Sequence, residues 1–262
     1  MSTPQDDPAA RFRLDGRTAV VTGASAGLGA HFALVLARAG ADLVLGARRV
    51  AELEAVADAV RGLGRRCVAV RTDIARDEDC RALVAAAAEL GGPDVLVNNA
   101  GTGYAARAED DDPQRAARLL ETNLLGTLQM CRAVGRAMID NGRGGSIVNV
   151  SSALALSTGT VPQAAYSASK AGMLGLTRDL AQQWSGRHRI RVNALAPGYV
   201  STELTAPLLD DEGAHARALT RIRMGRIGEP DELDGPLLLL ASEAGSYITG
   251  STLCVDGGWT MH

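Results

Sequence analysis

From residue 17 onward, seven short apolar runs alternate with longer stretches of helical periodicity, and that alternation leaves very few folds open. The runs are Arg17–Thr22, Asp42–Ala47, Arg66–Arg71, Asp94–Val97, Gly145–Val150, Ile190–Leu195 and Thr252–Val255. They are rich in Val, Ile and Leu, as strands covered on both faces must be. Between them, Leu28–Ala39, Ala51–Arg61, Asp77–Leu90, Gln114–Ile139 and Ala165–Trp184 carry apolar residues three and four apart, the spacing of one helix face. Strand–helix–strand repetition needs crossover connections, so the fold class is α/β: a doubly wound, seven-stranded parallel sheet with helices on both faces. With no composition break or internal repeat, residues 15–262 read as one domain behind a flexible N-terminal tail of residues 1–14. The irregular stretch Pro197–Arg226 follows the sixth strand, at the carboxyl edge of such a sheet where ligands bind.

Composition excludes several classes of partner. The 262 residues carry a formal net charge of −3, which gives no basic footprint for nucleic acid or an anionic membrane. The densest apolar run, Leu237–Ala241, has five residues, far short of the ~18–20 that span a bilayer. Met1–Arg13 is polar and contains proline, with no apolar segment of the kind a secretory signal needs, so the expected location is cytoplasmic. Cys67, Cys80, Cys131 and Cys254 are widely spaced and read as buried free thiols; no metal site is expected.

The first strand runs directly into Thr22-Gly23-Ala24-Ser25-Ala26-Gly27-Leu28-Gly29 and then a helix. Glycines at 23, 27 and 29 permit a tight turn and close backbone approach, and the helix N-terminus offers free N–H groups to a phosphate. A dinucleotide is the expected ligand. Gly23–Gly27 also fits G-x-S-x-G, the nucleophile turn of α/β-hydrolases. That motif, however, needs an oxyanion donor from a loop between earlier strands, and too little chain precedes this turn to supply one.

In order along the chain, Thr22–Gly29, Asp73, Asn98-Asn99-Ala100-Gly101, Asn123, Ser151-Ser152, Tyr166-x-x-x-Lys170, Pro197-Gly198 and Val255-Asp256-Gly257-Gly258 resemble the short-chain dehydrogenase/reductase family across residues 15–260. The resemblance implies a Rossmann fold, a nicotinamide cofactor, a small-molecule carbonyl or alcohol substrate and a homotetramer, or a homodimer. It further implies that Ser25, Ala26 and Leu28 join the three glycines around the phosphates, that Asp73 accepts from the adenine amino group beside Ile74, and that Asn99, Ala100 and Gly101 line the adenine and ribose side. Pro197, Gly198, Val200 and Thr202 then face the nicotinamide, Thr202 holding its carboxamide. Asn123, a polar residue inside a predicted helix where it competes for backbone hydrogen bonds, is implied to hold a water on a proton relay; the other reading is a cap or bend.

At the end of the second strand, Ala47 stands where NAD-preferring members carry an acid, and Arg48-Arg49 follow. An acid there repels a 2′-phosphate and an arginine binds it, so NADP(H) is expected over NAD(H), with Arg49 either sharing the task or simply opening the next helix.

Tyr166 and Lys170 stand four apart on a predicted helix and share a face. Lys170 is the only lysine among 27 basic residues. An ammonium about 4 Å from a phenol is worth roughly 4 kcal/mol at an effective dielectric of 20, close to three pKa units, enough to make tyrosine a usable acid and base near neutrality. Ser152, or alternatively Ser151, is expected to hydrogen-bond the substrate oxygen. The sequence therefore reads as an NADP-dependent ketone/secondary-alcohol oxidoreductase; the other reading is a non-catalytic nucleotide sensor on the same fold. Leu204, Leu208, Leu209, His215, Arg217, Arg221 and Arg223 populate the stretch expected to cover the substrate, where the arginines either greet an anion or face solvent.

Overall fold

The computed structural model describes residues 7–203, 205–206 and 210–261. Seven strands, β1 (Thr18–Thr22), β2 (Asp42–Ala47), β3 (Cys67–Arg71), β4 (Val95–Asn98), β5 (Gly145–Val150), β6 (Ile190–Pro197) and β7 (Thr252–Val255), form one parallel sheet in the order β3-β2-β1-β4-β5-β6-β7. The chain builds outward from β1 to β3 and then crosses back to β4, on the other side of β1. This reversal of winding direction opens a crevice at the carboxyl ends of β1 and β4.

Successive residues of each strand point to opposite faces, and two apolar layers result. Ala19, Val21, Leu43 and Leu45 pack under α1 (Gly27–Arg38) and α2 (Val50–Gly62), with Leu237 and Leu240 of the late helix Asp234–Ala241. Val20, Val44, Leu96 and Ile147 pack on the other face against α3 (Asp77–Ala88) and, among later elements, Met130, Val134 and Met138 of α5 (Thr127–Asn141) and Leu180 of α6 (Ala164–His188). Double coverage explains why the strand sequences show no polar alternation.

Three expectations need correction. The run expected as one helix from Gln114 to Ile139 is divided into α4 (Pro113–Leu120), a π-helical turn over Glu121–Gly126, and α5. The wide turn carries Asn123, whose amide bonds to the Thr102 backbone, and Gly126, where a Cβ would lie 2.8 Å from Ile74 Cγ1. Part of the expected tail is ordered, for a 3₁₀ helix spans Pro8–Phe12, with Arg11 donating to Glu243 O at 3.0 Å. Leu14 is only 2% exposed and belongs to the core. Finally, the stretch after β6 contains a regular element, α7 (Glu212–Arg221), whose start is capped by Asp211 accepting from Ala214 N; Asp234–Ala241 is α8. Leu204, Leu208 and Leu209 lie outside the described residues, as does His262. Among the described residues no helix is long and apolar enough to cross a membrane.

Candidate active site

The crevice at the switch point has a volume of about 530 Å³. Its floor is the glycine loop. Gly23 (φ 66°) and Gly27 (φ 54°) take left-handed backbone angles that other residues rarely adopt, and a Cβ on Gly23 would come within 2.7 Å of Ala100 Cα. The loop is stitched to the β4 end: Thr22 Oγ1 accepts from Asn99 N and Ala100 N, each at 3.1 Å, and Asn99 Nδ2 donates to the carbonyls of Thr22 and Gly23. Asn99 thus shapes the loop as well as lining the crevice. Gly29 does not line it. It is buried behind the loop, where a Cβ would lie 2.2 Å from Gly23 O, so its place is in helix–strand packing.

The first turn of α1 has neither a side-chain cap nor an acidic residue, leaving N–H groups and the positive end of the helix dipole available to an anion. Ser25, Ala26 and Leu28 line the crevice beside it. At the β2 end, exposed Arg48 and Arg49 line the rim, and Arg49 Nε donates to Ser25 Oγ at 3.3 Å. Among the described residues no histidine lines the crevice to serve this hydroxyl as a base, as the hydrolase reading of the loop requires. Asp73 and Ile74 line the far wall, the Asp73 carboxylate accepting from Ala75 N. Pro197, Gly198, Val200 and Thr202 supply the wall opposite Ala100 and Gly101, and the Thr202 hydroxyl pairs with that of Thr205 at 3.1 Å.

Helix α6 brings Tyr166 and Lys170 into the crevice, and Ser152 arrives on the segment after β5. Lys170 is 5% exposed; its Nζ donates to Val150 O at 2.7 Å and has no carboxylate partner among the described residues. Burial favours the neutral amine and draws its pKa down to about 8. The expected direct effect of lysine on tyrosine is not reproduced. The ammonium lies 5.7 Å from the Tyr166 ring centre, held toward the β5 carbonyl, and burial pushes the phenol above its ordinary value while a Ser152 hydrogen bond opposes that shift. Between the two serines the geometry is decisive. Ser151 Oγ donates to Lys170 O at 3.0 Å, whereas the Ser152 hydroxyl faces Tyr166.

Asn123 stands in the π-helical turn and faces both the loop after β4 and α6. Fully buried, it exchanges two hydrogen bonds with the Thr102 backbone, both at 2.8 Å, and donates to Ser169 Oγ at 3.2 Å. Its side chain therefore clasps the loop after β4 to α6 and does not line the crevice.

A second cavity of about 330 Å³ adjoins the first; Ser152, Tyr166, Gly198 and Thr205 line both. Its other walls include Tyr104, Gln163, Tyr199, Asp211 and Trp259. Trp259 is fully buried within the chain. Tyr104 and Gln163 carry no motif, so only tertiary structure places them. The four thiols are free; burial pushes Cys67, Cys80 and Cys131 up to about 12, and no three His, Cys, Asp or Glu side chains converge among the described residues.

A switch-point crevice with a glycine loop, joined to a pocket through half-buried Tyr166 with buried Lys170 and Ser152, defines a nucleotide-binding α/β protein equipped for proton transfer. A family model described as enoyl-(acyl carrier protein) reductase matches residues 23–260. The chain is 41% identical over 250 residues to 2-dehydro-3-deoxy-D-gluconate 5-dehydrogenase of Escherichia coli K12, covering 95% of this chain and 97% of that one. It is 42% identical over 258 residues to galactitol 2-dehydrogenase (L-tagatose-forming) of Cereibacter sphaeroides, with the same coverage of 95% and 97%. The crystal structure of a gluconate 5-dehydrogenase from Burkholderia cenocepacia J2315, in complex with NADP and tartrate, superposes with a TM-score of 0.93 at 36% identity, covering 98% of this chain and 100% of that one. The chain belongs to the short-chain dehydrogenase/reductase family.

Proposed function

We propose that this protein is an NADP(H)-dependent dehydrogenase that interconverts a secondary alcohol and its ketone. The observation that carries the reading is the shared wall: the Tyr166 and Ser152 hydroxyls border both the crevice sized for a dinucleotide and the smaller pocket beside it. The residues present fit the cofactor. The glycine loop and the uncapped start of α1 suit its pyrophosphate, and the β2 end offers Arg48 and Arg49 with no acid to repel a 2′-phosphate. Bound NADP(H) supplies or accepts the hydride.

The remaining chemistry falls to the chain. Ser152 hydrogen-bonds the substrate oxygen and fixes it beside the phenol. Tyr166 takes the hydroxyl proton in oxidation and returns it in reduction. Lys170, which has no carboxylate partner among the described residues, is available to ribose hydroxyls, and its ammonium favours the phenolate only when drawn from the Val150 carbonyl toward the ring. Asn123 acts as a positioning residue through Thr102 and Ser169.

Absorbance at 340 nm with NADP⁺ and a series of secondary alcohols tests the assignment. Turnover is expected in the wild type, and Tyr166→Phe is expected to lose about 10³-fold in kcat while still binding NADP⁺. Full activity in that variant would remove Tyr166 from the mechanism. A homotetramer or homodimer and a cytoplasmic location accompany this reading; sedimentation of the purified chain checks the first and cell fractionation the second.

A further inference from the structure

The pocket beside Tyr166 has a charge pattern that bears on which alcohol it takes, an inference that rests on the dehydrogenase reading above. Among the described residues no Lys, Arg or His lines it, and its one ionisable wall residue besides tyrosine is Asp211. The arginines nearest to its aromatic walls are engaged. Arg115 stacks on the Tyr104 ring at 3.8 Å; Arg221 stacks on Trp259 at 4.2 Å and donates to Thr158 O and Ser157 Oγ. Arg217, on α7, is exposed and does not line the pocket. A carboxylate ligand would meet Asp211 with no cation in the wall, an arrangement that disfavours an anion.

The pocket nonetheless asks for polar atoms. Trp259 Nε1 is the one buried side-chain donor without a partner among the described residues, on a fully buried ring that lines the cavity. An orphaned donor of this kind favours a ligand oxygen over an apolar surface. Asp211 and the amide of Gln163 can accept from ligand hydroxyls. The flat walls are held in place: Tyr104 Oη donates to the Asp111 carboxylate at 2.9 Å, and Tyr199 meets Trp259 edge-on at 5.0 Å.

From these three features, namely the absent wall cation, the Asp211 acceptor and the orphaned indole donor, we infer that the substrate is an uncharged polyol whose hydroxyls bond Asp211 and Trp259, and not a sugar acid. The test is a matched pair that differs only at one terminus, D-glucitol against D-gluconate, with cyclohexanol as the apolar member, oxidised by the full chain with NADP⁺. D-Glucitol is expected to exceed D-gluconate in kcat/KM by about tenfold or more, the size of one unfavourable charge contact near a protein surface. Asp211→Asn keeps the cap of α7, since asparagine caps as well as aspartate, and is expected to narrow that ratio by about tenfold. Trp259→Phe is expected to raise the polyol KM several-fold more than the cyclohexanol KM, about 1 kcal/mol; should it fail to fold, Asp211→Asn decides alone. Equal or better turnover of gluconate or cyclohexanol by the wild type, or an unchanged ratio in Asp211→Asn, overturns the polyol assignment and leaves the dehydrogenase standing. No turnover of any alcohol or its ketone by a folded, NADP⁺-binding chain overturns the dehydrogenase reading itself.

Discussion

The two cavities that meet at Tyr166 are built by different means. The larger crevice is walled by strand ends and main chain, with Thr22 and Asn99 tying the glycine loop to the end of β4. The smaller is walled by side chains from three connections and the segment after β7: Tyr104 after β4, Val161 and Gln163 before α6, Asp211 with Ala214 at the start of α7, and Trp259. The first kind of wall depends on backbone geometry, which only a few residue types satisfy. The second depends on side-chain size and polarity, which many sequences can meet while keeping the fold.

Substitutions should separate the halves. The largest effect is expected from Lys170→Met, on the backbone-built side: a loss of about 10²–10³-fold in kcat/KM. The same variant carries a stability signature. Lys170 titrates near 8 in the folded chain against an ordinary lysine value of 10.5, so between those pH values the unfolded chain binds more protons and stability rises with pH. Below pH 8 the folded state bears the full penalty of burying the charge, about 3 kcal/mol. Denaturant unfolding of the unliganded wild type should show this gain from pH 8 to 10.5, and Lys170→Met should lack it; parallel pH profiles would show that the buried ammonium does not control stability here.

Next in size, Arg48→Asp should reverse the cofactor preference, with kcat/KM for NADP⁺ falling about 10–100-fold relative to NAD⁺ and turnover on the preferred cofactor retained. An unchanged ratio would place the 2′-phosphate elsewhere. The smallest effect belongs to the side-chain-built half. Asp111→Asn weakens the hydrogen bond that holds Tyr104 and should raise the alcohol KM a few-fold, about 1 kcal/mol, without changing the KM for NADP⁺. A change in both constants would mean that the two cavities are less independent than their construction implies.

This contrast also decides what the amino-acid sequence makes legible. Parallel strands buried on both faces write themselves as apolar runs, and all seven were placed within two residues at either end. Gly23, Gly27, Asn99 and the Tyr166–Lys170 pair stand at positions where backbone or chemistry admits few alternatives. Asn123 inside the predicted helix allows for a bend, but the π turn itself is not legible, because it keeps helical periodicity on either side and depends on contacts with Thr102 and Ile74, far away in sequence. Spacing placed Tyr166 and Lys170 on one face but could not show that a β5 carbonyl holds the ammonium 5.7 Å from the phenol ring. Tyr104 and Gln163 escaped notice because an isolated tyrosine or glutamine in a loop looks the same whether or not it borders a cavity.

The wide turn at Glu121–Gly126 has a consequence for how such a chain can diversify. Through Asn123 it secures the loop that precedes Tyr104, and through the missing side chain of Gly126 it admits Ile74 from the opposite end of the crevice. One helical defect thus serves as a common anchor for distant parts of the scaffold, so the surrounding connections can exchange residues and acquire new selectivities while the anchor itself tolerates almost no change.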